Sequence, residues 1–165
     1  MLAPGNGEKC LASYYEEYES LHNSCREPFP GILALIQRLK DSGLRLGLVT
    51  GKGAGSLRIS LRFTDLEDLF EHIETGCPHG PCKPEGIRKM LEEWSLSGNQ
   101  ILYVGDAPSD VRAAREAGVL IASVAWHDRT QAEHLRSLKP DYLFESVEEF
   151  AGWCASVVLN GTATR

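Results

Sequence analysis

The chain has 165 residues, 42% of them hydrophobic and 24% charged, with a formal net charge of −6. That length fits one domain with a substantial core, and that composition excludes a disordered chain. The negative balance argues against a nucleic-acid or anionic-membrane surface, and no apolar run approaches the ~20 residues that a bilayer span needs.

The opening MLAPGNGEKC lacks the apolar centre of a signal peptide. Five cysteines are an odd number without the spacing of a small secreted scaffold, so the expected compartment is a reducing cytoplasm. From Glu8 to Ser24, Leu11, Tyr14, Tyr15, Tyr18 and Leu21 fall near one face of an amphipathic helix, which EPFPG then breaks. ILALIQRLKDS (32–42) repeats its apolar residues at helical spacing, and Gly43 stands where such a helix stops. LRLGLVT (44–50) reads as a strand, 53–62 as a helix, and His72 to Thr75 as a short strand. Pro84 opens a helix that runs to Leu96.

Ile101 to Val104 is a wholly apolar strand of the kind covered on both faces. A helix from Ser109 to Ala117, a strand from Leu120 to Ala125 and a helix from His127 to Leu138 follow. A strand at Tyr142 to Phe144 and a helix from Val147 to about Val157 close the series. This alternation predicts an α/β fold with a doubly wound, mostly parallel sheet, whose ligands sit beyond the carboxyl ends of the strands.

Three short pieces fall on that edge. In Thr50-Gly51-Lys52 the hydroxyl and the backbone N–H groups suit an anion, although Thr-Gly after a strand is also ordinary turn chemistry. Lys83, in CKPEG, precedes a helix start where an ammonium pairs well with phosphate; a solvated surface lysine is the plainer alternative. In GDAPSD (105–110), Asp106 follows a buried strand directly and offers hard oxygen to Mg²⁺. Asp110 either joins that metal site or caps the next helix.

Taken together and in this order, the pieces resemble the haloacid dehalogenase-like phosphohydrolases, in particular their phosphoglycolate-phosphatase-like branch. The resemblance covers residues 28 to 158. PFPGILALIQRLKDSGLRLGLVTGK is similar to the approach to that branch's second motif, CKPEG to its third and VGDAPSDVRAAREAGV to its fourth. It implies a Rossmann-like core over 28–158, a remnant of a helical cap domain over 1–27 and a tail over 159–165. It also implies that Thr50, with Gly51 and Lys52, holds a phosphoryl group and that Lys83 neutralises its charge. Asp106 would bind Mg²⁺ and Asp110 would support the metal shell. The implied substrate is a small phosphorylated metabolite.

The family's reaction begins with an Asp-x-Asp pair after its first strand, and no two aspartates of this chain have that spacing. The expectations are therefore weak Mg²⁺ binding, negligible turnover, and an open strand position between the Thr50 and Asp106 strands. Either Ser156 to Leu159 or a strand of a second copy would fill that position, or the two flanking strands would close together. The chain then reads either as an incomplete version of a longer phosphohydrolase or as an inactive domain that binds a phosphorylated ligand or a protein partner.

Cys77, His79 and Cys82 place three soft ligands within six positions. This is similar to the zinc loop of the sugar-bisphosphate and histidinol-phosphate phosphatases. A closed zinc site needs four ligands, and a tight Gly/Pro loop with incidental thiols explains the segment as simply. Trp94, Trp126 and Trp153 read as packing residues. Glu148 and Glu149 suit the first turn of a helix. His127 follows a strand end closely enough to face the pocket.

Overall fold

A computed structural model of the chain describes residues 6–22, 27–76 and 82–160. The long helix α1 (Asn6–His22) is followed by α2 (Ile32–Asp41), strand β1 (Gly47–Val49), α3 (Ala54–Thr64) and β2 (His72–Glu74). Then come α4 (Lys83–Trp94), β3 (Leu102–Gly105), α5 (Pro108–Ala117), β4 (Leu120–Val124), α6 (Ala132–Ser137), β5 (Tyr142–Phe144) and α7 (Val147–Asn160). No helix among the described residues is long and apolar enough to cross a membrane.

All strand pairs are parallel. β3, β4 and β5 form one ladder in that order, with Val104 opposite Ala122 and Val124 opposite Phe144. Its faces follow the strand's period of two. Ile121 points to one side, into a cluster with Ile87, Val111, Ala114 and Leu135. Ala122 points to the other, against Leu35, Phe144, Phe150 and Cys154. Helices cover both sides, as parallel sheets require, and burial pushes the Cys154 thiol up to about 11.

β1 and β2 form a separate ladder, with Leu48 opposite Ile73. Val49 of β1 nevertheless packs on the same cluster as Tyr103 of β3. The two ladders thus share one core without sharing hydrogen bonds. Among the described residues β1 pairs only with β2 and β3 only with β4, so each keeps one open edge.

Two expectations are corrected. Ser156 to Leu159 does not form a strand, because the backbone stays helical to Asn160. Phe150, Ala151 and Cys154 already set an i, i+1, i+4 pattern against the core, and that packing overrides the β preference of the valines. The helix expected from His127 begins only at Ala132. His127 Nδ1 accepts the Arg129 N–H at 2.9 Å and its carbonyl accepts the Thr130 N–H at 2.8 Å, which closes a local turn in place of a helical one.

α1 docks on α3 rather than projecting away. Tyr14 OH lies 3.3 Å from Ser56 Oγ, Tyr18 OH 3.2 Å from Ser60 Oγ, and Glu19 pairs with Arg62. His22 Nδ1 bonds the Tyr18 carbonyl at 2.9 Å, which fixes the ring proton there. Nε2 is left to accept the Ser60 hydroxyl at 3.1 Å.

Candidate functional site

The carboxyl ends of β1, β2 and β3 lead into three connected loops. After β1, the Thr50 N–H donates to the Glu74 carbonyl at 3.0 Å and Thr50 Oγ1 accepts the Lys52 N–H at 3.2 Å. The turn expected at Thr-Gly is therefore present. Gly76, past β2, donates to the Lys52 carbonyl at 2.8 Å and lies against the Gly51 backbone so closely that no Cβ would fit there. The missing side chain at Gly76 is what lets the two loops meet. The Lys52 ammonium turns away from the edge: it donates to Ser60 Oγ at 3.0 Å and stands 5.7 Å over the Tyr18 ring. Burial works to raise the Tyr18 phenol, but its hydrogen bonds to Lys52 and Ser60 outweigh that and lower it.

Lys83 opens α4, whose first turn packs Gly86 against Val49 and Glu74. Its ammonium reaches Asp110 Oδ1 at 2.6 Å. The Lys83 side chain is 25% exposed and that of Asp110 only 4%. Tyr103 OH donates to the same oxygen at 3.0 Å, and the Ala107 N–H donates to Asp110 Oδ2 at 3.0 Å. Asp110 thus closes the start of α5, as its capping alternative required, and also anchors Lys83 from the start of α4. Burial first, and then the Asp110 carboxylate, push the Tyr103 phenol far above its ordinary value. Gly105 makes this packing possible, since a Cβ there would stand 2.5 Å from Asp110 Cβ and Cγ.

Asp106 is exposed and borders two cavities. One, of about 270 Å³, has apolar walls from Phe29, Ile32, Val104, Val124 and Trp126. The other, of about 480 Å³, is lined by His127, Arg129, Thr130 and His134 among others. Among the described residues the Asp106 carboxylate has no hydrogen bond or ion pair.

A family model described as haloacid dehalogenase-like hydrolase matches residues 3–124, well over half of the chain. The chain belongs to this family. It is 26% identical over 144 residues to pyrophosphatase PpaX of Bacillus cereus (strain ATCC 10987), covering 86% of this chain and 66% of that protein. The PpaX of Anoxybacillus flavithermus is 27% identical over 150 residues, covering 90% of this chain and 69% of its own. Among solved structures, the haloacid dehalogenase-like protein SP0104 of Streptococcus pneumoniae superposes with a TM-score of 0.67 at 26% identity, over 76% of this chain and 59% of its own. A haloacid dehalogenase-like protein of Agrobacterium tumefaciens, 16% identical, shares the fold with a TM-score of 0.71 over 95% of this chain and 71% of its own. The chain thus spans just under two thirds of the first Bacillus cereus relative.

The donor set accommodates the family's Mg²⁺ only sparsely. Asp106 presents one carboxylate, whereas both oxygens of Asp110 are committed to Lys83, Tyr103 and Ala107. Among the described residues no three His, Cys, Asp or Glu side chains gather as a metal group. One carboxylate is the least with which Mg²⁺ is held, most of its shell being water.

The zinc expectation is corrected. Cys82 is disulfide-bonded, so it has no thiolate to offer a metal. Cys77 and His79 lie outside the described residues.

The sequence reading missed Tyr103, the residue that holds Asp110 from β3. A tyrosine in an otherwise apolar strand, seven residues before an aspartate, was the available signal. It also missed the α1–α3 polar seam, although Tyr14, Tyr18 and His22 recur every fourth residue along one face of α1.

Proposed function

We propose that this chain carries the phosphate-recognising edge of a Mg²⁺-dependent phosphohydrolase that acts on a small phosphorylated metabolite in the cytoplasm. The Lys83–Asp110 pair carries the reading. One bond to Asp110 leaves Lys83 two N–H donors for phosphate oxygens, and the pair keeps its side chain from swinging into solvent. Thr50 Oγ1 already accepts the Lys52 N–H, so its own O–H proton is free for a phosphate oxygen, next to the backbone N–H of Gly51. Asp106 is the residue that would hold the Mg²⁺, and the ion would supply positive charge facing the phosphoryl oxygens. The name of the PpaX relatives adds diphosphates to the candidate substrates.

No Asp-x-Asp pair is present in these 165 residues. We therefore assign binding without turnover to the chain as given, with α1 as the cap remnant. The open edges of β1 and β3 favour a strand entering between them, and a second copy is one source of it. Hydrolysis requires that such a strand bring a carboxylate nucleophile to the phosphorus.

Calorimetry with inorganic phosphate, with and without Mg²⁺, tests the reading, alongside release of orthophosphate from p-nitrophenyl phosphate. The expected result is phosphate binding that Lys83→Met weakens at least about tenfold, with negligible turnover. Absence of phosphate binding, or a Lys83→Met chain that binds like wild type, overturns the phosphate assignment. Normal turnover overturns the assignment of an inactive chain.

A further inference from the structure

We propose that Tyr103 is a positioning residue for anion binding: its hydroxyl fixes the direction of the Lys83 ammonium through the oxygen that the two share on Asp110. This rests on the phosphate reading above and adds a third member to the Lys83–Asp110 pair.

A lysine ammonium is a compact charge with three donors on a flexible four-carbon stem, so a single bond holds it without aiming it. A carboxylate oxygen offers two lone pairs. On Asp110 Oδ1, Lys83 Nζ takes one at 2.6 Å and Tyr103 OH takes the other at 3.0 Å. The second oxygen, Oδ2, accepts the Ala107 N–H at 3.0 Å. The ammonium therefore has one lone pair of Oδ1 to face rather than two, and this sets where its remaining N–H groups lie. The tyrosine hydroxyl also draws negative charge from the shared oxygen, so Asp110 neutralises less of the lysine and more of its charge is left for an anion. Both effects raise anion affinity.

The attachment of Tyr103 suits this role. It sits on β3, directly opposite Ile121 in the ladder with β4, and Ile121 is only 1% exposed. The Tyr103 ring packs on the cluster of Ile87, Val111 and Leu135. A phenylalanine would fill that space equally well, so the hydroxyl is the part that packing does not need. Burial first, and then the Asp110 carboxylate, keep the phenol protonated far above neutral pH, so it stays a donor wherever phosphate is recognised.

The test uses the full chain at neutral pH, with calorimetry of inorganic phosphate and ¹H–¹⁵Nζ spectra of the lysine ammonium groups. Tyr103→Phe should weaken phosphate binding about three- to tenfold. Tyr142→Phe, which takes a hydroxyl from β5 of the same sheet, should leave it unchanged. A cooperative urea transition establishes that Tyr103→Phe is folded. The Lys83 signal, assigned by its loss in Lys83→Met, should exchange faster with water in Tyr103→Phe. Lys89, on the same helix and paired with Glu74 at 3.2 Å, should keep its rate, whereas a general loosening would move both signals. If wild type binds phosphate and Tyr103→Phe binds it as tightly, or if Lys83 and Lys89 respond alike, the positioning role is wrong and the phosphate reading stands. If wild type does not bind phosphate, both fall.

Discussion

Asp110→Ala is the perturbation on which the site's architecture is most exposed. Asp110 is almost wholly buried and serves three donors at once: Lys83 Nζ, Tyr103 OH and the Ala107 N–H. Removing one partner of a buried ion pair costs about 3–5 kcal/mol, because the other charge stays uncompensated. Lys83 keeps a quarter of its side-chain exposure, so water relieves part of that and the lower figure applies to the pair. The Tyr103 hydroxyl then lacks an acceptor and the start of α5 loses its cap, each worth about 1 kcal/mol. A total of about 5 kcal/mol follows, which for a chain of this size corresponds to a melting temperature lower by roughly 10–20 °C. Urea unfolding followed by circular dichroism measures it. Lys83→Met/Asp110→Ala should recover most of the pair's share, since no orphaned charge is left. A single variant that loses less than 1 kcal/mol, or a double variant no more stable than the single, would refute the reasoning.

Other outcomes follow from the same coordinates. The Tyr103 phenol is raised in the folded state, so the unfolded chain releases its proton first. Stability is then retained below the ordinary tyrosine value of about 10 and declines as pH rises above it. Tyr103→Phe should flatten that alkaline limb in urea titrations between pH 9 and 11. Gly105→Ala forces a methyl onto Asp110 and should cost about 1–3 kcal/mol. That cost should shrink in Gly105→Ala/Asp110→Ala, so a strictly additive pair would sink the explanation. Ser123 is fully buried and its hydroxyl has no partner among the described residues, so Ser123→Ala should be neutral or stabilising by up to about 1 kcal/mol in thermal melts. His22→Ala removes the Ser60 acceptor on α1 and should make the α1–α2 connection cleave faster under limited proteolysis, with the β3–β5 core still resistant.

Much of this organisation was legible in the sequence because it rests on local signals. The strand Leu120–Val124 and the Pro-led starts of α4 and α5 were read close to their observed bounds. The role of Asp110 was half legible: the spacing announced a helix start, but the lysine that it holds comes from 27 residues away and the tyrosine from the preceding strand. The direction of Lys52 was not legible at all. Its sequence neighbours suggest an anion loop, whereas Ser60 of α3 and, through the docking of α1, Tyr18 are the partners that draw its ammonium away. The end of α7 was misread for a related reason. β-branched residues were weighed by propensity, while the helix was decided by Phe150 and Cys154 against the sheet.

The split between the two ladders sets how the molecule breathes. β3, β4 and β5 lock one another through continuous backbone bonds over two covered faces, whereas β1 and β2 share no ladder bond with them among the described residues and attach chiefly through Val49 and the first turn of α4. Amide hydrogen exchange should therefore resolve two cooperative units, with Ile121 to Val124 exchanging only on global unfolding and Gly47 to Val49 through a smaller, cheaper opening. Thr50 belongs to the weaker unit and Asp106 to the stronger. Any ligand that bridges those two residues would slow exchange in the first unit far more than in the second, and would tie the molecule together as it binds.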